Sequence, residues 1–192
     1  MRILPLGLLA AVLAPLASAQ QPAPLDRAER WRYYWRHTYA SPAVPLSAAY
    51  LAALWQWDDK PHDYGQGMAG YGRRLAEQAG RSVLRSSLEN GTAAALGYEV
   101  RYLPCGCSGT AARLRHAATR GLITRDAHGH TRFNAPAVMA PFATEMIRQT
   151  WLPDGTRSNG AAARSASIQL GTRALVNVFS EFWPDLRRAL RK

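Results

Sequence analysis

Two cysteines one residue apart, Cys105 and Cys107, are the first candidates for chemistry in this chain. Gly106 lies between them, so they can close a small disulfide ring, and a strained ring tends to be oxidising. They are candidate redox residues of a thiol–disulfide factor, or half of a metal site. The sequence holds 2 Cys in all, which excludes a four-cysteine zinc site within one chain. Metal chemistry has a second route through Glu89, His116 and Glu145. These fall on three separate predicted helices, and a bundle can gather carboxylates and histidine around a metal that activates water. No E-x-x-H or H-E-x-x-H spacing accompanies them. Asp126, His128 and His130 alternate through a predicted turn, where the simpler reading is a solvated turn. A third chemistry is anion binding. Tyr71, Arg73 and Arg74 lie just inside a predicted helix that opens on Gly65-x-Gly67-x-x-Gly70. Free backbone N–H groups and the helix dipole favour anions at such a start. These three are the expected ligand-binding residues. The competing reading gives the glycines to close packing and pairs the arginines with Asp58, Asp59 or Asp63. The glycine pattern matches a dinucleotide fingerprint literally, but it follows a polar loop and not a strand, so nucleotide binding is rejected. No nucleophile elbow or Walker loop occurs. No catalytic residue, bound metal or cofactor is assigned.

These residues sit in a chain of 192 residues with 47% hydrophobic and 19% charged content, an ordinary globular balance. The first twenty residues read MRILPLGLLAAVLAPLASAQ. Arg2 is a short basic region, an apolar stretch follows, and Ala17-Ser18-Ala19 is an A-x-A cleavage signal. The apolar stretch is about 14 residues, short of the ~20 that a spanning helix needs. Residues 1–19 are therefore expected to be a cleaved signal peptide, 20–24 a flexible lead-in, and 25–192 a single helical domain. The expected location is the periplasm or the periphery of the outer membrane. The net charge is +11, from 24 Lys+Arg against 13 Asp+Glu. A basic chain raises nucleic acid as a partner, but export lowers that prospect. Anionic lipid, acidic polysaccharide or an envelope protein is the expected partner, and no nucleic acid.

Helical spacing organises the rest. Asp26 caps a helix over 27–38, with Trp31, Tyr34, Trp35 and Thr38 on one face and Arg30, Arg32 and Arg36 elsewhere. A second helix runs over about 46–57. A long helix over 66–96 carries Gly72, Ala76 and Gly80 four apart. A last long helix, capped by Ser158 or Asn159, carries Ala163, Ser167 and Gly171 at the same spacing. Two small faces predict one tightly packed helix pair. A short helix over 110–120, a hairpin over 122–134 and a helix over 136–151 complete the order. The last long helix is expected to stop near Trp183, with a short terminal helix beginning at Pro184. The fold class is mainly α, a compact helical bundle with one small β-hairpin. Its core is expected to be rich in aromatic residues.

Four stretches carry a resemblance. They are Trp31-Arg32-Tyr33-Tyr34-Trp35-Arg36, the segment Tyr64–Arg74, Gly121-Leu122-Ile123-Thr124 with Arg132-Phe133-Asn134, and Ser180-Glu181-Phe182-Trp183-Pro184-Asp185-Leu186. In this order they resemble an uncharacterised family of small exported bacterial proteins with YW, G-x-G-x-x-G-Y-G-x-R and E-F-W-P-D motifs. The resemblance spans nearly the whole mature chain and implies export and a helical fold. It supplies no catalytic residue. Tyr98–Tyr102 departs from the family's E-D-P-R-Y stretch, and Trp151-Leu152-Pro153-Asp154 from its W-Y-P-D turn. Cys105 and Cys107 stand outside the family pattern, which argues against a shared redox role. The functional expectation is a non-enzymatic binding or structural protein for an anionic or amphipathic partner. A metal-assisted hydrolase or a thiol–disulfide factor is the alternative.

Overall fold

The structure, a computed structural model, describes residues 23–191. The expected signal peptide lies outside them. The chain is mainly α with one two-stranded antiparallel hairpin, as its patterning predicts. Helix α1 (Arg27–Thr38) starts at Asp26, whose side chain accepts from the Glu29 N–H while Glu29 reaches back to the Asp26 N–H. That reciprocal box satisfies two of the end's orphan donors. Helix α2 (Ala43–Trp57) leads into a loop with a cis Lys60–Pro61 bond. Helix α3 (Gly67–Ser86) runs through one π turn, Ser87–Gly91, into α4 (Thr92–Leu96), which ends at Gly97 in the left-handed region. Helix α5 (Thr110–Thr119) precedes strands β1 (Ile123–Arg125) and β2 (Thr131–Phe133), paired Ile123 to Phe133 and Arg125 to Thr131. Asn134 caps α6 (Ala135–Arg148), and Ser158 caps α7 (Asn159–Ala189). The strongest packing joins α2 to α3, α6 to α7 and α5 to α7, with α3 also against α6.

Helix α7 corrects one expected boundary. Pro184 lies inside it, and the helix continues to Ala189. The position four residues before Pro184 is Ser180, whose own hydroxyl bonds the Val176 carbonyl. The cost of the missing N–H is borne within a helix otherwise anchored by Glu181 and Asp185.

The interior corrects the expected aromatic core. Its apolar residues are mostly alanines: Ala48, Ala52, Ala117, Ala140 and Ala166 are all 3% exposed or less. Arg74, Glu77, Gln78, Glu145 and Glu181 are buried among them. Arg30, expected off the aromatic face, is buried too, with its guanidinium on the Leu25 carbonyl. Trp35, Tyr50, Trp57, Phe179 and Trp183 are exposed instead. The physical reason is volume. Small side chains bring the helix backbones close and leave room for long arginines to reach glutamates across the interface. A large aromatic in the same place would overfill it. The two small rows also fail to pair. A Cβ built on Gly72, Gly80 or Gly171 meets nothing within 4 Å, so both rows face outward.

Three carboxylates, Glu99, Glu181 and Asp126, are held below their ordinary range. Burial raises the Glu99 carboxyl, but Arg101 outweighs it and holds it below the ordinary glutamate range. Burial raises Glu181 too, and there the Tyr102 hydroxyl, the Cys105 N–H and Arg113 outweigh it. Asp126 is lowered to about 2, because bonds from Arg132 and from the His130 and His128 N–H groups exceed its desolvation. A depressed carboxylate pKa stabilises the fold above its unfolded value and loses that contribution as pH falls through its folded value. The melting temperature is therefore expected to hold from neutrality down to the ordinary values of 4.5 for glutamate and 3.8 for aspartate, and then to fall towards about 2. Calorimetric melts across that range check it. A midpoint that rises on acidification would contradict this electrostatic account.

Candidate functional site

The site begins with the glycines before α3. Gly65 and Gly67 have φ of 69° and 75°, a region glycine enters without a Cβ penalty. Gly70 allows a close backbone approach. A Cβ there would sit 2.2 Å from the Gly65 carbonyl oxygen. Arg74, one turn further on, is fully buried and closes the arrangement. Its Nε donates to the Lys60 carbonyl at 2.8 Å. One terminal nitrogen donates to Gln56 and to the Gly65 carbonyl, both at 2.6 Å. The other donates to the Pro61 carbonyl at 2.9 Å and to Asp59 at 3.2 Å. All five N–H groups of the guanidinium are thus engaged within the protein. The glycine pattern serves a turn caged by an arginine, not a phosphate cradle. This is the pairing reading with Asp59, and it leaves Arg74 no donor for a ligand.

The other two expected ligand residues separate. Tyr71 turns towards α2, its hydroxyl on the Ala49 carbonyl at 3.4 Å. Arg73 points outward and donates to the Tyr64 carbonyl at 3.3 Å. Arg73 stands at the edge of an open groove of about 740 Å³ between α3 and the end of α6. Ala76, Gly80, Val83 and Leu84 form one wall, and Ile147 and Trp151 form the other. The outward small row explains the groove: a larger side chain at 76 or 80 would fill it. Tyr64 and Glu77 lie at the same end as Arg73. Burial first, and then the Glu77 charge, push the Tyr64 hydroxyl up to about 12. Glu77 is buried. Its Oε1 accepts from Arg148 Nε at 2.7 Å, and its carboxylate also meets the Tyr64 hydroxyl.

Behind the groove runs a chain of charges. Glu145 accepts from Arg81 Nε at 2.7 Å, from Arg148 at 3.1 Å and from Gln169 at 2.7 Å. Arg148 joins Glu145 to Glu77 and stacks over the Trp55 ring at 5.4 Å. This network ties α2, α3, α6 and α7 together beneath the apolar walls.

The candidate residues of the alternative metal reading are not brought together. Glu89 pairs with Arg173 and Arg85, His116 bonds the Leu103 carbonyl at 3.0 Å, and Glu145 belongs to the network just described. Among the described residues no three His, Cys, Asp or Glu side chains are grouped to hold a metal. Asp126 organises its own turn, accepting from the N–H groups of His128 and His130 at 2.9 Å each. Cys105 and Cys107 are disulfide-bonded, and the Cys105 N–H donates to Glu181 at 3.1 Å. Glu181, from the E-F-W-P-D stretch, also takes the Tyr102 hydroxyl at 2.6 Å and Arg113 at 3.1 Å. That stretch docks α7 onto the connector and α5.

Sequence reasoning missed the groove walls and the partners Arg81 and Arg148. A signal for the walls was present. Arg73, Ala76, Glu77, Gly80, Val83, Leu84 and Ser87 recur at helical spacing. Small and apolar residues on one stripe read as packing, and periodicity does not say that the stripe is left uncovered. No helix among the described residues is long and apolar enough to cross a membrane. No protein-family model matches the chain, and no curated protein or solved structure matches it significantly.

Proposed function

We propose that this is a non-enzymatic, exported envelope protein that binds a single-chain anionic amphiphile in the α3–α6 groove. The observation that carries the reading is the groove itself: apolar walls with an arginine held at one end. Its volume lies in the range of small-molecule sites. The walls suit an acyl chain, and Arg73 suits a phosphate or carboxylate head. The excess of basic residues and the signal-peptide pattern fit an envelope compartment, where such amphiphiles are abundant.

Calorimetric titration with a single-chain phosphatidylglycerol lysolipid, and with a monoacylglycerol of the same chain, tests this. The anionic lipid is expected to bind, and the neutral one about tenfold or more weakly, for the loss of a charge-assisted contact. Arg73→Gln is expected to remove that preference. Gly80→Leu is expected to abolish binding of both while the protein stays folded, because the new side chain enters open space and replaces a helical glycine. Equal binding of the two lipids by the wild type, or undiminished binding by Gly80→Leu, would overturn the reading.

A further inference from the structure

Helix α7 carries two opposite faces. Ala162, Ala166, Asn177 and Glu181 are buried against the bundle. The other face is apolar and uncovered: Ile168 is 63% exposed, Leu175 71%, Phe179 57% and Leu190 75%. Trp183 and Leu186 join them. On a helix of 3.6 residues per turn, these side chains and Thr172 fall on one stripe about 33 Å long. The spacing of that stripe reads the same in both directions about Phe179. Reversed, Ile168 meets Leu190, Thr172 meets Leu186, Leu175 meets Trp183, and Phe179 meets itself. A surface that maps onto itself under a two-fold rotation is what an isologous dimer requires.

We propose that the protein self-associates as a two-fold dimer through antiparallel contact of α7 with α7 of a second copy, centred on Phe179. Charge fixes the direction. Arg187, Arg188 and Arg191 crowd the end of α7. A parallel pair would set both basic ends side by side, whereas an antiparallel pair keeps them roughly 27 Å apart by the helical rise. It places each basic end over Ser167 and Gly171, which are small and neutral. At the exposures above, the stripe presents roughly 700 Å² per copy, close to the ~800 Å² of a standard interface. A lipid surface suits the stripe less well. Interfacial helices carry basic residues along their flanks, and between Arg164 and Arg187 the single basic residue, Arg173, is turned to Glu89. This inference is independent of the groove, which lies on α3 and α6.

Sedimentation equilibrium of the purified chain is expected to show a monomer–dimer equilibrium. Phe179→Asp is expected to weaken it about a hundredfold, because each dimer loses two aromatic groups at its centre. Its helical circular dichroism and melting should match the wild-type monomer, since the side chain is exposed. Cysteine substitution reads the register, the native cysteines being tied to each other. With an added thiol oxidant, Phe179→Cys should cross-link to itself. Ile168→Cys should not, but should cross-link to Leu190→Cys when the two are mixed. A chain that is monomeric at every concentration, or a dimer that survives Phe179→Asp, overturns the proposal. So does self-cross-linking of Ile168→Cys, or a folded monomer that floats with phosphatidylglycerol vesicles through this stripe.

Discussion

Glu145→Ala is expected to remove about 3–5 kcal/mol of stability, the range measured when one partner of a buried ion pair is deleted. Glu145 is 1% exposed and accepts hydrogen bonds from Arg81, Arg148 and Gln169. Arg81 comes from α3, Arg148 from α6 and Gln169 from α7, so one carboxylate closes the junction of three helices. Its removal leaves the Arg81 guanidinium with the Ser165 hydroxyl at 2.8 Å, and Arg148 with Glu77 and the Trp55 ring. Arg81 then loses the carboxylate it is paired with, while its side chain stays 16% exposed. In a chain of this size the loss corresponds to a fall of roughly 10 °C in the melting midpoint. Calorimetry at neutral pH measures it. The double variant Glu145→Ala with Arg81→Ala should lose less than the sum of the two single variants, because the second change removes a stranded charge. Strict additivity would show that the pair is not coupled.

Arg74→Lys is the second large effect, about 3 kcal/mol. Lysine keeps the charge but replaces five planar donors with three on one atom. The Lys60, Pro61 and Gly65 carbonyls, Gln56 and Asp59 surround the guanidinium from several directions. An ammonium cannot meet all of them, and a buried acceptor left unmatched costs about 1–3 kcal/mol. Gly70→Ala should act on the same unit by another route, since its Cβ would collide with the Gly65 carbonyl that Arg74 holds. Urea unfolding measures both losses. Proteolysis should locate them, with new cleavage within residues 58–66 in each variant. The loop carries Tyr64 at the edge of the groove, so lysolipid binding should weaken along with it. A fully stable Arg74→Lys with an uncleaved loop would return Arg74 to the list of ligand contacts.

How far the sequence was legible depends on the kind of signal. Caps at Asp26 and Ser158, the glycines and prolines of the turns, and the short hairpin act over a few residues, so their effect is visible without the fold. They gave the order of helices and the fold class. Pro184 misled because a proline is a local stop signal, and here tertiary anchoring of α7 overrides it. The ligand-binding reading of Tyr71, Arg73 and Arg74 treated three neighbours as one site. On a helix, consecutive residues diverge by about 100°. They face α2, the groove and the interior in turn.

The sequence by itself determined the order of the helices, that the chain is mainly α with one hairpin, and that basic residues outnumber acidic ones. Only the tertiary structure decided which face of each helix is inside. Periodicity marks two faces but cannot rank them when both are coherent. On α7, one is small and polar and the other large and apolar. The small one went inward because glutamates on one helix find arginines on another only across a close backbone approach. That choice is a sum over pairs far apart in the chain, Arg81 with Glu145 and Arg113 with Glu181. No local pattern records it. It leaves the aromatics and the groove on the outside, where partners can reach them.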